Sequence, residues 1–542
     1  MVVDSWRQRS WWGWGYESEQ IEGEALAQLV QVAGSLLQLN SAPLHPPEPD
    51  SLDISQPRIK LPDLLDGICV TDNFARLLHT YGCSYKDVVR SLHGIVDNPP
   101  DAICFPRNES DIIVLLDYCT ERDIAVIPYG GGSSVVGGVE PIVGDAFNGV
   151  ISLDMAYMNR VLEVDSQSRA ALIEAGTLGP DLERQLKEHG MTLRHFPQSF
   201  ARSTLGGWIA TRAGGHFATG PTHIDDMVES VRMLTPSGVF ETRRLPASGA
   251  GPSPDRMLIG SEGILGVITA AWMRTFHIPR FKASRTYLFS TFDEAIQALR
   301  YLVQSGLQPS NCRVIDPLEA LINQAGDGSH AIMIVAFESA HYPVTDLLAL
   351  ADDCIRDYGG MPSSGHRSND ATDTAMDIAL DTAPDTASTW RDSFIRAPYM
   401  RDALVRFGAM LETFETAVTW DKFDRLYSSV MDAIRDVLQR LGISPAVVTC
   451  RITHAYPDGL APYFTVIARA RDGRELDDWN ELKNAASSVI MESGGTITHH
   501  HAVGREHRQY YDVERPDLFA RSLREVKRVM DPSGILNPGV LI

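Results

Sequence analysis

The sequence predicts an α+β protein built of several units, and three observations carry that prediction. From about residue 95 onward, short β-branched runs separated by glycine alternate with helical patterns. The 542 residues are 44% hydrophobic and 22% charged, the composition of packed cores, and at roughly 150 residues per domain they suit about three or four units. No window reaches the ~18 apolar residues of a membrane helix, and Met1 is followed by no signal-type apolar region, so neither a transmembrane segment nor secretion is expected. Repeats of 20 to 50 residues are also lacking, which sets solenoids aside.

The net charge of −22, from 48 Lys plus Arg against 70 Asp plus Glu, repels phosphodiester backbones and excludes nucleic acid as a partner. The seven cysteines (Cys69, Cys83, Cys104, Cys119, Cys312, Cys354 and Cys450) are widely spaced with no CxxC pair. They read as reduced, mostly packed thiols of a cytoplasmic protein.

Residues 1–94 read as a helical region and linker. Trp6, Trp11, Trp12 and Trp14 precede Leu26, Leu29, Val30, Ala33, Leu36 and Leu37, whose spacing predicts a docking helix with no catalytic part. Pro43, Pro46, Pro47 and Pro49 mark an extended linker, and a helical segment is expected around residues 72–92. Residues 95–280 form an α+β unit, with strands at Ile124 to Ile127, Gly149 to Leu153, Arg169 to Glu174 and Val228 to Leu234, and helices at Asp111 to Thr120 and Asp181 to His189. A second α+β unit spans 281–495, with strands at Thr286–Phe289, Ala331–Phe337 and Tyr463–Ala468 and helices at Phe292–Ser305 and Phe423–Leu441. Within it, residues 362–390 are small and polar, with Asp370, Asp373, Asp377 and Asp381 spaced for one helix face; they read as a solvated insertion or a lid. Residues 496–542 close the chain with a histidine loop and a helical segment.

The strongest local signal is Pro128-Tyr129-Gly130-Gly131-Gly132-Ser133-Ser134-Val135-Val136-Gly137-Gly138-Val139, directly after a predicted strand. Consecutive glycines let backbone N–H groups turn inward and Ser133 and Ser134 add hydroxyls, a nest suited to a diphosphate. A Walker loop would need a lysine, absent here, and a Rossmann fingerprint starting at Gly130 would need glycine where Val135 stands.

Further glycine-rich segments follow at Phe200 to Gly215 and Gly260 to Thr269, with Val231-Arg232-Met233-Leu234-Thr235-Pro236-Ser237-Gly238 between them. This series resembles the FAD-binding half of the vanillyl-alcohol-oxidase, or PCMH-type, flavoproteins over residues 95–280. Thr498-His499-His500-His501-Ala502-Val503-Gly504, Tyr463 in Ala461-Pro462-Tyr463-Phe464, Thr449-Cys450-Arg451, Phe414-Glu415-Thr416-Ala417 and the closing Met530 to Gly539 narrow the resemblance to the alkyldihydroxyacetonephosphate synthase family over nearly the whole chain. The resemblance implies a two-part PCMH-type FAD-binding domain with an α+β cap and helical terminal regions. It implies FAD, a homodimer, and exchange of the acyl chain of an acyl-dihydroxyacetone phosphate for a fatty alcohol through a flavin N5 adduct, with no net redox. The substrate is then a lipid with an anionic head, and peripheral membrane contact is compatible with it. Val540-Leu541-Ile542 is not a peroxisomal address, which points to a bacterial, cytoplasmic member.

By the same resemblance Pro128, Gly130, Gly131, Gly132, Ser133 and Ser134 hold the pyrophosphate; Gln198, Ser203, Thr204, Gly207 and Thr211 line the rest of the cofactor; and Glu262, Gly263 and Ile268 take the adenosine side. Gln198 stands where the family usually has an acidic residue, and Ala502 where it has glycine. No histidine or cysteine lies between Pro128 and Val139, so the FAD is expected to be non-covalent. Tyr463 and His500 are the expected proton-transfer pair, hydrogen-bonded to each other, with His499 and His501 beside them. If the histidine run were a strand, His499 and His501 would share one face and His500 the other. Arg401 and Arg313 are expected to bind the substrate anion, since an arginine fork suits phosphate, with structural ion pairs the alternative for either.

The rival reading is a 2-hydroxy-acid dehydrogenase or oxidase on the same scaffold. Such enzymes carry a metal-binding histidine pair seven residues apart and a Glu-His pair further on. Here His454 has Ala461 seven residues later, and His499 replaces the glutamate, so no metal is expected.

Overall fold

In the computed structural model, residues 5–217, 219–369 and 386–542 are described. The glycine-rich half holds two sheets. The first runs in the order Cys69–Val70, Ala102–Cys104, Gly149–Asp154, Ile124–Tyr129, its last three strands parallel. Ile124, Ala125, Val126 and Ile127 are all fully covered, which is why this strand is an unbroken apolar run rather than an alternating one. The helix Glu109–Arg122, capped by the Asn108 side chain on the Asp111 N–H, packs against it. The second sheet is antiparallel: Val161–Asp165, Ala170–Glu174, Val267–Arg274, Val228–Thr235, Gly238–Glu241. One apolar core joins both sheets and takes in Ile535, Leu536 and Val540 from the chain's end. That end is threaded beside the glycine loop's own strand, where Val126 donates to Ile535 O at 2.8 Å and Asn537 donates to Val126 O at 2.9 Å.

The other half is an eight-stranded antiparallel sheet, in the order Met361–Asn369, Phe281–Phe289, Ala331–Ser339, Asn311–Ile315, Ala446–Ala455, Gly459–Arg469, Ala409–Glu415, with Val418–Thr419 pairing beside the last. Helices Phe292–Gln304, Thr345–Arg356, Phe423–Leu441 and Glu475–Glu492 bury their apolar stripes on one face of it. The period-two alternation of strands decides what the other face presents. Cys312, Val314, Cys450, Ile452, Phe464 and Val466 enter the core, while Arg313, Thr449, Arg451, Thr453, Tyr463 and Thr465 line a cavity.

Each strand and helix expected from residue 95 to 280 and from 281 to 495 is present, with ends shifted by a few residues. The polar segment 362–390 is not one insertion. Its start belongs to the edge strand Met361–Asn369, paired through its main chain to Phe281–Phe289, and its end opens the helix Thr386–Val405. Main-chain pairing at a sheet edge tolerates a polar sequence, so composition hid this strand. Asp370, Asp373, Asp377 and Asp381 lie outside the described residues.

The helical segment expected at 72–92 is two helices, Asn73–Leu78 and Tyr85–Leu92, capped by Asp72 and by a Ser84/Asp87 capping box. The break between them serves the glycine loop: a Cβ on Gly82 would sit 2.2 Å from Ser134 O, and Cys83 N donates to that oxygen at 2.7 Å. The docking helix is Gly23–Leu37, whose Leu26 and Ala33 pack against Ala403, Phe407 and Leu404. It also borders the cavity, a part the helical spacing alone did not show.

Candidate flavin site and the wall facing it

A cavity of about 1310 Å³ separates the glycine-rich half from the antiparallel sheet. Pro128, Gly130, Gly131, Gly132, Ser133, Ser134, Gln198, Ser203, Thr204, Gly207, Thr211, Glu262, Gly263 and Ile268 all line it, as do Arg313, Arg401, Tyr463, His500 and His501. Of the expected site residues only His499 does not.

The cradle is a backbone device. A Cβ on Gly131 would lie 1.6 Å from Arg202 O and one on Gly130 2.4 Å from Thr204 Oγ1, so the two glycine-rich segments touch main chain to main chain at Gly131 and main chain to side chain at Gly130. Arg202 closes the clasp by donating Nε to Gly131 O at 3.2 Å. Several expected hydroxyl contacts are committed to holding this shape. Ser134 Oγ accepts from Gly138 N at 3.0 Å, Ser203 Oγ accepts from Trp208 Nε1 at 2.7 Å, and Thr211 Oγ1 donates to Gly207 O at 2.8 Å. Glu262 accepts from Val503 N at 2.9 Å and Gly504 N at 2.8 Å, and burial raises its carboxyl to about 7. Glu262 thus pins the loop that follows the histidines to the cradle. A cavity lined by the main chain of Gly130, Gly131 and Gly132 fits a dinucleotide with its diphosphate at the glycines.

Across the cavity, adjacent strands place Tyr463 opposite Arg451 on one side and Glu415 on the other. The Arg451 guanidinium lies 3.9 Å from the Tyr463 ring centroid, and its Nη1 donates to Glu319 at 2.6 Å. Burial pushes the Tyr463 phenol above its usual pKa, against the pull of Arg451. Arg313 is buried, donates Nη2 to His216 O at 2.5 Å, and is brought down to about 9 by burial and then by Arg451. Arg401 is an ion pair as well as a lining residue: it meets the buried Asp402 at 2.7 Å and donates to Cys83 O at 2.8 Å.

The histidine run is not a strand but a bend wrapped around one carboxylate. The main-chain N–H groups of His499, His500 and His501 reach Glu415 at 2.6, 3.1 and 2.9 Å, and Thr498 Oγ1 donates to it at 2.5 Å. Although burial alone would raise it, the neighbouring imidazoles and the Thr498 hydroxyl hold Glu415 below the usual carboxylate range. Because the chain curls, His500 and His501 both face the cavity and the strand alternation does not apply. The expected hydrogen bond between Tyr463 and His500 is not found among the described residues. Their rings lie near-parallel with centroids 6.1 Å apart. Burial lowers all three imidazoles, His500 to about 4, so they are neutral at pH 7 and able to accept protons. His454, His499 and His500 offer ring nitrogens within 4.8 Å of one another, where a tetrahedral zinc with bonds of about 2.0–2.1 Å would draw its ligand nitrogens to about 3.4 Å.

Two family models match the chain, an FAD binding domain over residues 100–243 and the C-terminal domain of FAD linked oxidases over 278–541. The alkyldihydroxyacetonephosphate synthase of Dictyostelium discoideum is 32% identical over 492 residues, covering 89% of this chain and 79% of that one. The chain belongs to the alkyldihydroxyacetonephosphate synthase family. The Trypanosoma brucei brucei member is 30% identical over 478 residues, covering 87% of this chain and 78% of its own. A solved structure titled alkyldihydroxyacetonephosphate synthase superposes with a TM-score of 0.79 at 28% identity, covering 99% of this chain and 100% of that one. The FAD-binding assignment and the α+β, PCMH-type architecture expected from the sequence therefore stand.

Sequence reasoning missed Glu415 and Arg451 as site residues. Both sit in segments that carry the family resemblance, but a charged residue within an apolar strand is equally the mark of a solvated face. His223 and Tyr456, which reach His499 at 3.1 and 2.8 Å, had no sequence signal at all.

Proposed function

We propose that the protein is an FAD-dependent alkyldihydroxyacetonephosphate synthase, exchanging the acyl group of an acyl-dihydroxyacetone phosphate for a fatty alcohol. The observation that carries the reading is the convergence of Tyr463, His500 and Arg313 on one wall of the cavity, opposite the glycine cradle. Gly130, Gly131 and Gly132 would hold FAD non-covalently, and the flavin would supply an electron-accepting ring beside the substrate carbon. The chain's own groups do the rest. Arg313, brought down to about 9 by burial but still charged at neutral pH, suits a phosphate dianion, and Arg401 extends the cationic lining. Neutral His500, held in place through Glu415, accepts the proton lost from the carbon beside the ketone, and the Tyr463 hydroxyl returns one. The acyl group departs as a carboxylate, the alcohol oxygen takes its place and the alcohol's proton restores the Tyr463 hydroxyl, so electrons balance without an oxidant and one proton, on His500, is released overall.

An apolar route accommodates the chains. Val32, Leu36, Leu318 and Leu321 border the cavity while remaining 63%, 55%, 40% and 49% exposed, which supports contact with a lipid surface at the opening. No helix among the described residues is long and apolar enough to cross a membrane. Homodimerisation and a cytoplasmic location complete the reading.

The test is turnover of acyl-dihydroxyacetone phosphate with a fatty alcohol. Arg313→Ala should lower kcat/KM at least about tenfold with FAD content unchanged, since a charge-assisted bond contributes about 1.5–3 kcal/mol. Arg401→Ala, which strips a partner from Asp402, should also lower stability. Acid precipitation should leave the yellow colour in solution. Stoichiometric hydrogen peroxide in place of ether product would establish the oxidase alternative.

A further inference from the structure

His500 borders the cavity, whereas His499, Tyr456 and His223 stand outside its lining. These three are nonetheless joined to it. His500 Nδ1 lies 3.0 Å from His499 Nδ1, and the far nitrogen of His499, Nε2, lies 2.8 Å from the Tyr456 hydroxyl and 3.1 Å from His223 Nε2. Tyr456 continues to Thr222 Oγ1 at 3.3 Å, and both Tyr456 and His223 are partly exposed. We propose that His499, Tyr456 and His223 form a proton outlet, which carries to the surface the proton that His500 takes from the substrate.

Each link can donate from one side and accept on the other, which a relay requires. When His500 takes a proton at its cavity-facing nitrogen, its Nδ1–H passes to His499 Nδ1. The Nε2–H of His499 then passes to the Tyr456 oxygen or to His223, whose own proton leaves to water. At each transfer one N–H or O–H bond breaks and one forms, so a positive charge moves outward and no electrons are exchanged.

The surroundings favour that direction. Burial depresses His500 and His223 alike, each to about 4, so neither end of the imidazole path is a trap. Glu415, the charged neighbour of His500, is occupied by three main-chain N–H groups and a hydroxyl and stays ionised, so it is a poor resting place for the proton. The wire is also fixed at both ends. The main chain of His499 is held by Glu415, and Tyr456 is held in its turn by its N–H to Gly459 O at 2.8 Å and by Trp420 Nε1 on its carbonyl at 3.1 Å.

The inference rests on the proposed reaction, and the experiment separates the two. The holoenzyme is incubated with acyl-dihydroxyacetone phosphate in D2O, and loss of the hydrogen on the reacting carbon is followed by NMR. Tyr456→Phe, His223→Gln and the double variant are compared at equal FAD content and melting temperature. The double variant should exchange at least about tenfold more slowly. Added imidazole should restore the rate in proportion to its concentration, which a packing defect would not allow. Should the double variant lose FAD, Tyr456→Phe combined with His223→Asn, which closes both exits with a smaller side chain at 223, decides on the same criteria. Exchange at the wild-type rate, or slow exchange that imidazole leaves slow, overturns the outlet while leaving the reaction intact. Absence of exchange in the wild type overturns the reaction and the outlet with it.

Discussion

In the cradle, neighbours along the chain do the work: Gly130, Gly131 and Gly132 are consecutive, and the segment they clasp, Arg202 to Thr204, is as compact. On the facing wall the working groups come from separate strands and a bend, Arg313, Glu415, Arg451, Tyr463 and His500, brought together by cross-strand register. The cradle uses main chain and absent side chains, so what matters there is close approach. The wall uses side chains whose charge states depend on one another. Geometry should therefore govern failures in the first region and electrostatics those in the second.

The largest expected effect is in the cradle. Gly131→Ala places a methyl 1.6 Å from a carbonyl oxygen, which no rotation of a side chain can relieve. The variant should purify without yellow colour and bind no FAD in a fluorescence titration. Normal FAD binding would show that the two segments part easily and that the cradle is softer than its contacts imply.

On the wall, Glu415→Gln should keep FAD and lose turnover by about a hundredfold, the scale of one general acid–base group. The amide sets a donor among the N–H groups of His499, His500 and His501, leaving a donor unmet at a cost of about 1–3 kcal/mol. Sign matters here. Glu415 is held below its unfolded value of about 4.3, so its contribution is present above that pH and is lost as the pH falls further. The variant should show a shallower loss of stability below pH ~4 than the wild type in denaturant titrations.

The histidines make a related but broader prediction. His223, His500 and His507 are depressed by burial to about 4, about 4 and about 3. The unfolded chain, with histidines near 6.5, binds protons first. Stability is therefore retained above pH ~6.5 and lost as the pH falls toward 4, by up to ~1.4 kcal/mol per pH unit for each. The urea midpoint should drop steadily between pH 7 and pH 5. A flat midpoint would mean that these imidazoles titrate in the folded protein near their unfolded value of about 6.5, unshifted by burial.

The same contrast explains what was legible beforehand. A run of glycine after a strand is a local signal, and every cradle residue named from it reached the cavity. The wall was legible only in pieces. Thr449, Arg451 and Thr453 alternate with Cys450 and Ile452, a pattern that reads equally as a strand facing solvent, and only the opposing domain turns that face into a site. Tyr463 and His500 were found through resemblance, but the direct hydrogen bond expected between them was not, because it depended on a bend whose shape Glu415 sets from another strand. The two helices at 73–92 read as one because their break answers to Ser134, about fifty residues away and invisible to local periodicity.

The smallest effect falls where the two regions meet, at Ala502, whose backbone φ is +74° between the histidine bend and the residues held by Glu262. Three contributions oppose one another in Ala502→Gly. Removing the Cβ at this left-handed φ relieves about 1–2 kcal/mol. Greater freedom of the unfolded chain removes about 0.4–1 kcal/mol, and losing a buried methyl about 0.8 kcal/mol. Their sum is close to zero, so the melting temperature should move by no more than about a degree and turnover should be unchanged. Ala502→Val discriminates, since a β-branched residue at this φ keeps the strain and adds bulk at a buried position. It should destabilise by about 1–3 kcal/mol, the cost of overpacking. A marked gain from glycine would mean that the bend is held under strain by Glu262 and Glu415, and the wall would then share the cradle's dependence on backbone geometry.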